Sequence, residues 1–368
     1  MGIGGINEMK YEYWFANLQG ISNRRKMAIR GKVTNLEQLY NIEETGLKQL
    51  ELNEKERKNL IKSIKEWDLD KGYQKLAENG IHFVPVTDNR YPKKLLDIDS
   101  APYALYVKGK LPDENKMTVA IVGARECSPY GESMARRFAK SLASVGIQVV
   151  SGMARGVDSA GQSGALEGGG ESFAILGCGV DICYPREAIG LYMDLQENGG
   201  VISEFPIGTK PLPQHFPARN RIISGLADAV LVIEAKEKSG SLITADMALE
   251  QGKDVYALPG PINSKLSRGC NLLIKQGADL LLSPEELLEE WGFSFSKNQQ
   301  KKGLIKFPLE SEENIVYSCL DFHPKNLEQL LGMTKYSVSE LLDILVSLEL
   351  KGVIKEVSKN YYAIVEEK

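Results

Sequence analysis

Histidine is scarce in this 368-residue chain: His82, His215 and His323 are its only three copies, far apart in sequence. No HExxH, GxSxG or Walker A signature occurs, which removes the commonest zinc, acyl-transfer and P-loop chemistries. Cysteine is equally uninformative. Cys127, Cys178, Cys183, Cys270 and Cys319 form an odd, scattered set without a CxxC pair, which excludes a disulfide framework, offers neither a zinc nor a redox motif, and fits a reducing compartment. No apolar run approaches the length of a membrane span, and the start MGIGGINEMKYEYW lacks a basic flank followed by an apolar stretch. A cytoplasmic protein without a membrane partner, a bound metal or a cofactor is therefore expected. A basic excess is missing too, since 45 Lys and Arg face 49 Asp and Glu for a net charge of −4. On its face that total argues against a nucleic-acid partner.

The 43% of hydrophobic residues can bury a real core, and the length predicts two or three domains. Residues 1–117 carry 20 basic and 17 acidic residues, 118–282 carry 15 and 17, 283–310 carry 4 and 5, and 311–368 carry 6 and 10. Of the 35 glycines, 22 lie within 118–282, a density that signals tight turns or close backbone approaches. In the same stretch, short β-branched runs (TVAIVG, IQVVSG, SFAILG, GVISE, AVLVIEA, DVYALPG, ADLLLS) alternate with amphipathic segments. That pattern predicts a doubly wound α/β domain with a parallel sheet covered on both faces, over residues 118–291.

Ligands in such sheets gather at the carboxyl ends of the strands, where glycine lets the backbone approach an anion at the next helix N-terminus. Val122-Gly123-Ala124-Arg125 with Ser128 is the first such end; Gly123 would allow the approach, Arg125 would supply a charged fork and Ser128 a hydroxyl. Equally, Gly123 could serve a tight turn and Arg125 a surface ion pair. Ser151-Gly152-Met153-Ala154-Arg155-Gly156-Val157-Asp158, Gly177-Cys178-Gly179-Val180-Asp181 with Tyr184-Pro185, Ser203-Glu204-Phe205 and Glu234-Ala235 with Ser239-Gly240-Ser241-Leu242-Ile243-Thr244 end their strands alike. Five ends on one rim point to an anion-binding crevice. Arg219 and Arg221, at the start of a helix after a proline-rich loop, add charge there, although one of them is expected to pair with a carboxylate such as Glu204 or Glu234. No nucleophile with a paired base is evident, so binding is expected rather than turnover.

The flanks read differently. Residues 1–70 form a helical module in which Leu18-Gln19-Gly20-Ile21-Ser22 has the pattern of a helix-hairpin-helix turn, with Ser22 at the usual second glycine; a phosphate-contacting hairpin and a plain packing module both fit. Residues 71–117 read as a connecting segment with one or two strands, and 292–310 as a polar linker. Residues 311–368 predict a winged helix. Its recognition helix, Tyr336 to Leu350, holds Glu340, Asp343 and Glu349 and no Lys or Arg, so a protein partner is expected for it rather than duplex DNA.

Together these residues resemble the DNA-processing protein A (DprA/Smf) family. The resemblance rests on VGAR with Ser128-x-Tyr130-Gly131, on SGxAxGVD at 151–158, on GxGxD with Tyr184-Pro185, on Ser203-Glu204, on FPxRNRIISGL at 216–226, and on Glu234-Ala235 with SGSLITA at 239–245 and Pro259-Gly260. It implies a Rossmann-like core with a helical module of the sterile-alpha-motif or helix-hairpin-helix kind before it. It also implies a non-enzymatic protein that binds single-stranded DNA, shields incoming strands in natural transformation, loads RecA recombinase, and dimerises through the Rossmann-like domain. Position by position, DNA contacts are implied for Arg125, Arg219 and Arg221 and for the residue before the Phe-Pro pair, His215. The expected phosphate-binding set is thus Gly123, Arg125, Ser128, Gly152, Arg155, His215, Arg219, Arg221, Ser239, Gly240, Ser241 and Thr244. The alternative is a nucleotide-processing enzyme similar to phosphoribohydrolases, to whose glycine-threonine loop Ser239-Gly240-Ser241-x-x-Thr244 is a loose analogue, although their Pro-Gly-Gly-x-Gly-Thr signature is absent. A transcription regulator acting through the winged helix is a third class, disfavoured by the acidic recognition helix.

Overall fold

The computed structural model describes residues 3–33, 35–42, 50–293, 311–321 and 324–364. His323 and all but the first two residues of the expected linker lie outside the described residues.

The described residues of the N-terminal part include the helices α1 Ile3–Ala16, α2 Asn23–Lys32, α3 Leu36–Tyr40, α4 Glu54–Glu66 and α5 Leu69–Glu78. Polar caps set their starts. Ser22 caps α2 through the Arg25 amide, Asn53 and Glu56 form a reciprocal capping box on α4, and Asp68 caps α5.

Nine strands follow in one sheet, β1 His82–Pro85, β2 Ala104–Gly109, β3 Thr118–Val122, β4 Gln148–Ser151, β5 Ser172–Ile175, β6 Gly199–Ser203, β7 Ala229–Val232, β8 Asp254–Ala257 and β9 Asp279–Leu280, in the spatial order β1-β2-β6-β5-β4-β3-β7-β8-β9. From β6 to β9 all neighbours are parallel, whereas β1 and β2 pair antiparallel with each other and β2 antiparallel with β6. The sheet therefore begins before residue 118, and the segment between the helical module and the glycine-rich region contributes its hairpin edge. The helices between strands are α6 Pro129–Ser144, α7 Val157–Glu167, α8 Ile189–Glu197, α9 His215–Leu226, α10 Gly240–Glu250 and α11 Arg268–Lys275, and α12 Pro284–Glu290 follows β9.

Alternation along the strands assigns the faces. Val119 and Ile121 of β3 pack with α6, α7 and α12, while Ala120 and Val122 pack with α9, α10 and α11. Strand β9 departs from the buried run expected of ADLLLS, since it is two residues long and exposed. The helical module joins Tyr106, Ala174 and Val201 in a cluster of its own on the sheet. Its anchor is Glu12, which is buried and accepts from Arg30 Nε at 2.9 Å, from Thr87 Oγ1 at 3.1 Å and from the Tyr103 hydroxyl. Burial and the Glu12 charge push the Tyr103 phenol well above its usual range, so the proton stays on the tyrosine and the bond stays intact.

The C-terminal unit comprises α13 Ser311–Ser318, β10 Lys325–Asn326, α14 Leu327–Met333, α15 Val338–Leu350, β11 Ile354–Ser358 and β12 Tyr361–Ile364. Val316, Leu330, Leu341, Leu345, Leu348 and Ile354 form its separate core, and its hairpin packs beside β10 in a three-stranded sheet. This is a winged helix, and Glu340, Asp343 and Glu349 on α15 are all exposed.

Glu12→Ala removes one partner of a buried, multiply bonded ion pair and leaves Arg30 uncompensated. It is expected to cost about 3 kcal/mol of unfolding free energy, read from denaturant melts. A loss below about 1 kcal/mol would place the anchorage of the helical module elsewhere.

Candidate functional site

The chain runs from β3 outward through β4 and β5 to β6 and then crosses back to β7, on the other side of β3. That reversal opens a crevice at the carboxyl ends of the strands. Two adjoining pockets occupy it, of about 480 Å³ and 430 Å³. The first is lined by Gly123 and Arg125 after β3, Asp158 after β4, Tyr184 after β5, Phe216, Pro217, Arg219 and Asn220 after β6, and Ser239, Gly240, Ser241 and Thr244 after β7. All five expected strand ends therefore meet, although not through every expected residue. The second pocket lies on the side of Gly152, Arg155, Arg186 and Pro211, and the two share Arg125, Ala154, Tyr184, Phe216 and Arg219.

Arg125 stands at the divide. Its guanidinium lies 5.4 Å from the centroid of the Phe216 ring, an attraction that holds the side chain without neutralising it. The residue is exposed, and no ion pair involves it among the described residues. Tyr184 packs against the same ring at 5.4 Å.

Arg219 is only 4% exposed. Its guanidinium donates to the Gly152 carbonyl at 2.9 Å and to the Ile175 carbonyl, both at strand ends. Asp158, buried beside it, accepts from the Gly152 and Ala154 amides at 3.2 and 3.4 Å. Burial, with the nearby positive Arg125, brings the Arg219 guanidinium down to about 10, against the pull of Asp158. Burial also raises the Asp158 carboxyl, with Arg219 and the two amides opposing. Glycine at 152 is imposed by this packing, because a Cβ there would lie 2.5 Å from Arg219 Nη2 and 2.7 Å from Asp158 Oδ2. Gly123 is imposed in the same way by the Val157 side chain, 2.7 Å from its would-be Cβ. It serves close packing of strand on helix as well as lining the crevice.

Several expected phosphate contacts are used otherwise. The Ser128 amide and hydroxyl donate to Glu234 at 2.8 and 2.6 Å, so a carboxylate of the chain itself already occupies the N-terminus of α6. Arg221 is held by Glu204 through two bonds of 2.6 and 2.7 Å and lies outside the lining of both pockets. Arg155 is exposed and pairs with Glu187, a surface contact that costs little to exchange. The Gly152 amide faces Asp158 rather than an open pocket. His215 stacks on Phe205 at 4.2 Å, with Nδ1 3.2 Å from the Gly177 carbonyl oxygen, and does not line the crevice. Arg125, Arg219 and the start of α10 remain together. There the Ser239 hydroxyl caps the Ser241 amide, Thr244 is buried, and Gly240 has open space on its Cβ side. The aromatic pair Tyr184 and Phe216 was absent from the expected set. A signal existed in sequence, because both sit in loops at the carboxyl ends of strands, where an aromatic face can serve a base.

Glu204 also reaches the helical module, accepting from Asn23 Nδ2 at 2.9 Å. Lys26, nearby on α2, is buried and donates to the carbonyl of Ala16 at the end of α1. Burial pushes this ammonium down to about 8, against the attraction of Glu204.

Three comparisons bear on the chain. The family model described as DNA recombination-mediator protein A matches residues 82–292, and that of the DprA winged helix domain matches residues 302–358. Protein Smf of Escherichia coli (strain K12) is 44% identical over 244 residues, covering 66% of this chain and 63% of that protein, so the match spans less than two thirds of this relative's length. DNA processing protein DprA of Streptococcus pneumoniae is 41% identical over 225 residues, covering 61% of this chain and 78% of the relative. The X-ray structure of DNA processing protein A from S. pneumoniae superposes with a TM-score of 0.67 at 34% identity, covering 78% of this chain and 98% of that one. DNA processing protein A from Helicobacter pylori, described for its single-stranded DNA binding mode, gives 0.52 at 28% identity over 58% of this chain and 97% of its own.

Since the Lys26 ammonium is held below its unfolded value of 10.5, the unfolded chain binds more protons between about pH 8 and 10.5. The contribution of this group to stability therefore rises with pH across that window, by up to about 3 kcal/mol. Lys26→Met should flatten the rise when denaturant unfolding is compared at about pH 7 and about pH 10. An identical pH profile in the variant would contradict the burial of a charged lysine.

Proposed function

The chain belongs to the DNA recombination-mediator protein A family, and from that premise we propose that it binds single-stranded DNA at the strand-end crevice, shields incoming strands in natural transformation and loads RecA onto them. The observation that carries the DNA assignment is the exposed, unneutralised Arg125 resting on Phe216 between two pockets, beside the buried Arg219. In the first pocket Arg125 and Arg219 face a single carboxylate, Asp158, which leaves a positive surplus suited to a phosphate. The start of α10 adds backbone amides, and the rings of Tyr184 and Phe216 supply faces on which bases of any identity can stack. The H. pylori relative described for its single-stranded DNA binding mode supports the choice of strand.

Binding without turnover fits the lining. Neither pocket contains a histidine or a cysteine, and the hydroxyls of Ser239 and Ser241 lie 2.7 Å from each other rather than against a base. The acidic face of α15 supports a protein partner for the winged helix rather than duplex DNA. No described helix is long and apolar enough to cross a membrane.

Few phosphates can be neutralised in so small a site, so one subunit binds modestly and a dimer holding one strand at two sites gains by effective concentration. The edge strand β9 supports a second copy there. Leu280 is 45% exposed on this open sheet edge, and Leu282 just after it is 64% exposed.

Arg125→Ala should weaken binding to a single-stranded oligonucleotide, lower the slope of log affinity against log salt by about 0.7 and leave the circular dichroism unchanged. RecA-dependent strand exchange should fall in parallel, and unchanged affinity would overturn the assignment of the crevice. Leu280→Arg should shift the protein toward a monomer in sedimentation velocity and weaken long-strand binding. A dimer that persists would move the interface off β9.

A further inference from the structure

The loop between β6 and α9, residues 204–214, separates the crevice from another cavity that the family signature does not touch. Pro211 lines the crevice, while Pro206, Ile207, Gly208 and Thr209 line a pocket of about 480 Å³ whose opposite wall is the helical module: Asn17 and Gln19 of the α1–α2 turn, with Asn59, Lys62, Ser63, Glu66 and Trp67 of α4 and its end. Thr209 and Pro211 are two residues apart, at most about 7 Å along extended backbone. Lys210 lies between them and is exposed.

The wall offers groups that suit nucleotides. Its side chains are predominantly neutral and polar, and the Trp67 ring lies among them. The turn that carries Gln19 is fixed, because the Asn59 side chain donates to the Gln19 carbonyl at 3.1 Å and Gly20 takes a left-handed φ of 73°. Lys62 stands at the mouth. Its only carboxylate neighbour in the lining, Glu66, is 3.9 Å away and both side chains are largely exposed, so the pair does not compete seriously with a phosphate.

We propose that this pocket is a second single-strand subsite, occupied by nucleotides that leave the crevice over Lys210, with Lys62 meeting the backbone and the amide- and indole-lined wall receiving a base. The inference rests on the reading of the crevice as a single-strand site. It gives the helical module a direct part in DNA binding.

The test uses the full-length chain and two labelled oligothymidylates, one of about 6 nucleotides, long enough for the crevice alone, and one of about 20 that can span both pockets. Lys62→Glu should leave affinity for the short strand unchanged, weaken the long strand by about threefold or more, and lower the long-strand salt slope by about 0.7. Thr209→Trp fills the pocket without altering charge and should weaken the long strand alone. Wild-type affinity of both variants for the long strand would overturn the subsite, as would an equal loss for short and long strands. Arg125→Ala serves as the control arm: if it binds the short strand like the wild type, the crevice reading has failed rather than the second pocket.

Discussion

The crevice depends on one buried contact, the Arg219 guanidinium driven into the carboxyl ends of β4 and β5. By donating to the carbonyls of Gly152 and Ile175 it ties the ends of β4 and β5 together, and it fixes α9 over the rim. Removing a full positive charge from water is costly, and Asp158 offsets that cost from α7, itself held by two strand-end amides. Four elements are thus tied at one point. The absence of a Cβ at residue 152 is what allows the guanidinium and the carboxylate to approach, so that glycine is a packing requirement before it is a ligand-binding one.

Carboxylates around this point then decide which cations stay available. Glu204 takes Arg221, Glu187 takes Arg155, and Glu234 takes the Ser128 end of α6. Of the basic groups near the rim, Arg125 is left to the stacking surface of Phe216. A guanidinium on an aromatic ring is oriented at little entropic cost and keeps its donors for a ligand. The same division shows how a chain with net charge −4 keeps free cations at one rim. The acidic excess lies largely in residues 311–368, with 10 acidic and 6 basic residues, while Arg125 and Arg186 line the crevice with no ion pair among the described residues.

Much of this was legible in sequence, for identifiable reasons. The parallel sheet showed because its strands are buried on both faces and so read as continuous apolar runs, and the crevice showed because each strand end carries glycine or a small residue. The hairpin β1–β2 was harder to place, since HFVP and ALYVKG are short and the antiparallel join to β6 is a long-range choice that no local pattern encodes. Side-chain partners were harder still. Nothing in the spacing distinguishes Arg219, which turns inward, from Arg221, which turns to Glu204 two residues later. On a helix, positions two apart point to different sides, so pairing of one was foreseeable, but which one depended on where β6 ends. His215 stands directly before the Phe-Pro pair, yet its ring is drawn to Phe205 and the Gly177 carbonyl, a contact made across 38 residues.

Glu204 has a wider consequence. It bonds Arg221 on α9 and Asn23 on α2 at once, and Lys26, one turn on, closes the end of α1. The helical module is therefore continuous with the helix that carries Arg219, through one carboxylate rather than through a flexible hinge. Glu12 secures the same module to Tyr103, just before β2, and to the loop after β1 from the other side. A module anchored at two separate points can rotate little against the sheet. The pocket it forms with the β6–α9 loop is accordingly a fixed wall beside the crevice, and a strand bound in one meets the other in a set register without paying to order it.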